Sequence, residues 1–138
     1  MTEKQERNPC DFPIFISVAG KQIAVYGGGN IALRRVRTLL SFGAAVRVIA
    51  PEAKEDLLAL AGEGKITYEK RPFSAGELSG CGEPPFFVLA ATDSPEVNGQ
   101  IAGECRERGI PVNHGGDSSQ CDFYFPAVVR EDELVIGL

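Results

Sequence analysis

The chain has 138 residues, enough for one domain with a real core and short for a two-domain enzyme. With 43% hydrophobic and 24% charged residues it has the composition of an ordinary globular protein, and a net charge of −5 argues against nucleic acid or an anionic membrane as partner. No apolar run approaches the roughly 20 residues of a bilayer span, and residues 1–9 lack the apolar segment of a secretion signal, so the cytoplasm is the expected compartment.

Residues 1–11 read as a polar leader, followed by the apolar stretch Phe12-Pro13-Ile14-Phe15-Ile16-Ser17-Val18 and a turn at 19–21. Ile23-Ala24-Val25-Tyr26 then reads as a short buried strand running straight into Gly27-Gly28-Gly29. A helix is expected from Asn30, with Ile31, Val36, Leu39 and Leu40 on its buried face and Gly43 closing it. Residues 45–49 form a second strand stopped by Pro51, and Leu57, Leu58, Leu60 and Ala61 mark a helix ended by Gly62 and Gly64. Residues 66–69 alternate as an exposed edge strand would, and 72–85 read as a loop with one short turn of helix.

The continuous apolar run 86–91 has the mark of a strand covered on both faces. Ser94-Pro95-Glu96 opens a helix that ends at Gly109, because Ser caps, Pro suits the first turn and Glu favours the positive end. Residues 110–113 make a fifth strand, 114–122 a polar loop, and 134–138 a final strand after the aromatic segment 123–129. Strands alternating with helices specify an α/β fold of Rossmann type, a parallel sheet with helices on both faces. The expected division is a nucleotide-binding domain over 12–115 and, over 116–138, the first strands of a further region that the chain truncates.

Gly27-Gly28-Gly29-Asn30-Ile31-Ala32 fits the G-x-G-x-x-[GA] turn of dinucleotide-binding folds. Gly27 permits the tight turn, Gly29 lets main chain approach a pyrophosphate, and Ala32 lets the helix pack close on the strand. A plain strand-helix connection is the alternative, but the buried strand before and the amphipathic helix after favour the dinucleotide. Glu52, just past the second strand, is the nearest carboxylate for the adenosine ribose, or else a simple first-turn acid. No arginine follows at once to receive a 2′-phosphate, which favours NAD over NADP. Cys10, Cys81, Cys105 and Cys121 form no CxxC pair and the chain has one histidine, so no metal site is expected.

Several segments carry a resemblance in order along the chain: Phe12-Pro13-Ile14-Phe15, the triple-glycine turn with Ala32, Arg34 and Arg35, and Val48-x-Ala50-Pro51-Glu52. Ala90-Ala91-Thr92-Asp93, Val97-Asn98, Val112-Asn113 and Cys121-x-Phe123-x-Phe125-Pro126-Ala127 complete the set. Together they resemble the precorrin-2 dehydrogenase domain of siroheme synthases, including the bifunctional dehydrogenase/ferrochelatase enzymes.

The resemblance implies NAD-dependent oxidation of precorrin-2, a tetrapyrrole, to sirohydrochlorin, with iron insertion left open, in a homodimer. It implies cofactor contacts at Asn30, Ile31, Pro51 and Glu52, beside Gly27 and Gly29, and a nicotinamide-side turn at Thr92 and Asp93. The last two also suit simple helix capping.

One departure stands out. Where the family reads Asn-Val-Val-Asp, this chain reads Asn113-His114-Gly115-Gly116, so Gly116 occupies the place of the family's aspartate and Asp117 follows one position later. Asp117 and His114 are accordingly the two candidates for a proton-transferring group, with no protein base as the third option. Arg34, Arg35, Arg37 and Arg130 are candidates to collect substrate carboxylates or else solvated cations, and Phe123, Tyr124 and Phe125 either line a macrocycle site or join the core. An NAD(H)-binding regulatory module and a catalytically silent tetrapyrrole-binding homologue remain the competing readings.

Overall fold

The computed structural model describes residues 10–80, 82–126, 128–131 and 134–137, with side chains as far as residue 126. The leader over residues 1–9, Cys81, Ala127 and Leu138 lie outside the described residues, as does the side chain of Arg130.

Five parallel strands form the main sheet: β1 (Gln22–Tyr26), β2 (Ala45–Ala50), β3 (Thr67–Lys70), β4 (Phe87–Ala90) and β5 (Val112–His114). Their order is β3-β2-β1-β4-β5. Successive strands step outward from β1 to one edge, and the chain then crosses back to lay β4 on the other side of β1. The sequence-expected Rossmann architecture is therefore present, and the reversal of strand order falls between β1 and β4, where such sheets bind ligands.

Helices α1 (Asn30–Ser41) and α2 (Glu55–Gly62) cover one face. There Ile23, Val25, Val46, Val48, Phe87 and Leu89 pack against Ala32, Leu33, Val36, Leu39 and Leu57. The buried stripe of α1 differs from the expected one at its start: Ala32 and Leu33 are buried, whereas Ile31 is 39% exposed. A helix crossing this close to β1 needs a small residue at the contact, and Ala32 supplies it, which turns Ile31 outward to the rim. Gly43, at φ +84°, closes α1 in the left-handed conformation, with Gly43 N–H and Ala44 N–H donating back to the Leu40 and Leu39 carbonyls.

Helix α3 (Pro95–Arg108) covers the other face, where Ile101, Ala102 and Cys105 meet Ala24, Tyr26, Val88, Ala90 and Val112. Ser94 caps it, accepting from Val97 N–H at 3.2 Å, and Gly109 ends it, as the sequence predicts. The crossover from β3 to β4 forms turns in place of the expected helical turn. This strap still buries Leu78 and sets Phe73 edge-on to Tyr26 at 5.4 Å. Its polar main chain is satisfied by α3: Glu104 accepts from Gly76 and Leu78 N–H, and Arg108 donates to the Leu78 and Gly82 carbonyls.

Beyond β5, a single 3-10 turn (Ser118–Gln120) returns the chain to the α1 face. Residues 123–126 are not a strand; Phe123 packs on Phe87 (centroids 4.7 Å apart) and Phe125 lies under the Arg35 guanidinium at 4.4 Å. Strands β6 (Val128–Glu131) and β7 (Leu134–Gly137) pair antiparallel as a separate two-stranded sheet. Before β1, the segment carrying Phe12, Ile14, Phe15 and Ile16 runs without strand pairing and leaves all four side chains exposed.

Candidate dinucleotide site

The carboxyl ends of the strands bring every sequence-predicted site residue to one rim of the sheet. Gly27, Gly29, Asn30 and Ile31 follow β1, Pro51 and Glu52 follow β2, Thr92 and Asp93 follow β4, His114 ends β5 and Asp117 lies just beyond. The register places Tyr26, Ala90 and His114 side by side across three strands.

The glycine turn is fitted on two sides and open on the third. Gly27 sits at φ +134°, and a Cβ there would run into the main chain of Ala91 at the end of β4. A Cβ on Gly28 would strike the Glu52 carbonyl and lie 2.7 Å from the Ala53 Cα, while the Gly28 carbonyl accepts from Lys54 N–H at 2.9 Å. At Gly29 a Cβ would meet nothing within 4 Å. The turn therefore leaves an open cradle over Gly29. The role of Gly28, which locks the β1 and β2 ends together, was not legible, because the middle position of the motif is free to vary and its neighbour is set by packing.

Gly29 begins α1 with no side-chain cap and no acid in the first turn, in contrast to the Ser94-capped α3. The first N–H groups of a helix have no intrahelical acceptor, and together with the positive helix end they form a natural seat for a diphosphate. Glu52 is exposed beside this turn. The open space over Gly29 and the uncapped start of α1 fit the diphosphate of a dinucleotide.

The loop after β4 is tied to α3 by hydrogen bonds. Asn98, buried in α3, accepts from Thr92 N–H (3.0 Å) and from its hydroxyl (2.6 Å), and donates to the Thr92 carbonyl (3.1 Å). Thr92 thus shapes the loop, and Asp93 is left exposed on it. Beneath the rim, the buried Tyr26 hydroxyl donates to Glu77 at 3.0 Å, and Arg71 grips both oxygens of Glu77 at 2.9 and 3.0 Å. Burial, then the Glu77 charge, pushes the Tyr26 phenol up. Burial also opposes ionisation of Glu77, but Arg71, Ser74 N–H and Tyr26 outweigh it and hold its carboxyl below the usual range. This network joins residues up to 51 positions apart, and no local pattern announces it.

The two proton-transfer candidates are differently engaged. Asp117 caps the 3-10 turn: Gln120 donates to one oxygen at 2.9 Å, and Ser119 donates to the other from both N–H and hydroxyl. Those bonds, Gln120 first, lower its carboxyl to about 2. His114 is buried, with Nδ1 accepting from Gly116 N–H at 3.1 Å. Its main chain is clasped by Cys121, whose Sγ lies 3.2 Å from His114 N and 3.3 Å from His114 O.

Of the arginines, Arg37 pairs with Asp56 at 3.2 Å on the surface, Arg35 covers Phe125 and Arg34 is exposed. Phe123 and Phe125 join the core, and Tyr124 donates to the Ser118 carbonyl. Cys105 is wholly buried, and burial, with Glu104 and Asp122, pushes its thiol up to about 12. No three metal-ligating side chains gather among the described residues, and no helix there is long and apolar enough to cross a membrane.

An NAD(P)-binding family model matches residues 14–127. The chain belongs to this family. Members resembling it include the siroheme synthase of Pseudomonas entomophila, 40% identical over 91% of the chain and 26% of the relative, and that of Nitrosococcus oceani, 36% identical over the same shares. The chain thus spans about a quarter of the length of these curated relatives. A solved structure of "SirC, precorrin-2 dehydrogenase" superposes with a TM-score of 0.75 at 23% identity, covering 93% of this chain and 61% of that one. These matches bear out the siroheme-synthase resemblance read from the sequence, and SirC bears out the fold.

Proposed function

We propose that this NAD(P)-binding domain holds NAD+ at the β1–α1 turn and oxidises precorrin-2 to sirohydrochlorin in siroheme biosynthesis, as a cytoplasmic homodimer. When bound, the nicotinamide supplies the hydride acceptor. The observation that carries the reading is the cradle over Gly29 at the mouth of an uncapped α1, with relatives named for siroheme synthesis supporting the substrate class. Gly29, Asn30 and Ile31 offer main-chain donors to the diphosphate, Pro51 and Glu52 border the adenosine ribose, and Thr92 and Asp93 border the far half of the cofactor. Iron insertion is not part of the proposal.

A catalytically silent reading also has an observation behind it: Gly116 stands where the family aspartate is expected, and Asp117 is bound up in its own turn. Incubation with precorrin-2 and NAD+ separates the two. NADH absorbance rising together with the sirohydrochlorin spectrum is the expected result. NAD+ uptake in a calorimeter without turnover would favour the silent homologue, and no uptake at millimolar cofactor would sink both.

A further inference from the structure

His114 is the only histidine of the chain, and its ring lies on the α3 side of the sheet in line with Tyr26 and Ala90. The Gly116 N–H pointing at Nδ1 fixes the lone pair there, so the neutral ring carries its proton on Nε2. Every buried side-chain nitrogen and oxygen among the described residues has a partner, and Nε2 has none among those residues. Nε2 therefore keeps some exposure although the residue as a whole is only 4% exposed. Of the titratable neighbours, Asp117 is hydrogen-bonded by Ser119 and Gln120 and feels His114 only through space, and Cys121 is held by the His114 main chain.

We infer that His114 acts as a fixed Nε2–H donor to an acceptor oxygen of a bound ligand, and not as the proton acceptor of the dehydrogenation. A base needs a free lone pair facing the substrate; here the free face of the ring bears a hydrogen and the lone pair faces Gly116. The acceptor is a carboxylate of the tetrapyrrole or the amide oxygen of the nicotinamide. This inference rests on the proposed dehydrogenase reading for the identity of the ligand, but not for the state of the ring.

The ring is tested directly, in the full chain without ligand, by a long-range 15N–1H correlation spectrum at a pH where the imidazole is neutral. One histidine gives one pattern, expected with the proton on Nε2. A Gly116→Asp variant has room for its Cβ, at 3.7 Å from Cε1 and 3.9 Å from Nδ1, and sets a carboxylate beside the ring; the proton is expected to move to Nδ1. A proton on Nδ1 in the unaltered chain overturns the inference.

The role is tested with His114→Leu and His114→Gln. Loss of one hydrogen bond is expected to raise the KM or Kd of one ligand about tenfold in the Leu variant, with partial rescue by the Gln amide. A rise for the tetrapyrrole alone identifies the carboxylate, and a rise for NAD+ alone the amide. Collapse of kcat in both variants at unchanged KM would make His114 the base and refute the inference. Absence of turnover by the unaltered chain would defeat only the dehydrogenase reading, since the spectrum and the ligand affinities still decide the role of His114.

Discussion

Asn98 and Thr92 are joined by three hydrogen bonds that fasten the β4 loop to the first turn of α3. Replacing Asn98 by Ala leaves a part-buried amide and carbonyl of Thr92 without partners. The expected cost is about 2–3 kcal/mol, read as a lower urea midpoint, accompanied by weaker NAD+ binding. An Asn98→Asp variant keeps the acceptor but sets a buried carboxylate oxygen against the Thr92 carbonyl, and is expected to be no milder.

Two neighbouring glycines are expected to fail in different ways. Gly28→Ala forces a methyl into the main chain of Glu52 and Ala53, which cannot rotate away, and costs about 1–3 kcal/mol or more. Gly29→Ala meets open space, so its melting temperature should fall less than that of Gly28→Ala, while NAD+ affinity drops on the order of tenfold. Equal NAD+ affinity in Gly29→Ala and the unaltered chain would place the diphosphate elsewhere.

Acid stability follows from Glu77 and Asp117, whose carboxyls both lie below their ordinary values in the fold. A lowered folded pKa stabilises above the unfolded value, about 4, and that contribution disappears as the pH falls towards 2. Urea midpoints should hold from pH 7 to about 4.5 and fall below about 4. Glu77→Gln should be weaker at neutral pH and flatter in acid; an identical slope would remove Glu77 from the account. Asp117→Asn should leave turnover at neutral pH intact.

The strap between β3 and β4 should depend on Glu104. Glu104→Ala strips the acceptors from Gly76 and Leu78 N–H, and faster hydrogen exchange at those two amides is the expected signature. The accompanying loss of stability is about 1–2 kcal/mol. Protection unchanged at Leu78 would show that its buried side chain alone holds the strap.

The sheet was readable because β1 and β4 are short apolar runs and because Ser94, Gly43 and Gly109 punctuate the helices with chemistry that works locally. Ile31 was misplaced since periodicity ranks residues by hydrophobicity, whereas close helix-strand contact selects the small Ala32. Edges moved by a residue or two, as at β5, where His114 belongs to the strand and not to the loop. The rim residues could be named from motif spacing, but their engagement could not. That Asp117 spends its lone pairs on Ser119 and Gln120, and that Gly116 dictates the protonated nitrogen of His114, depend on how one loop folds back on itself.

The anchors of the strap have a bearing on biosynthesis. Glu104 and Arg108 leave the ribosome after the segment they hold, and α3 is also what covers Ala24, Tyr26 and Ala90. Until it is made, those apolar residues of β1 and β4 have no cover, so this side of the sheet can close only late in synthesis.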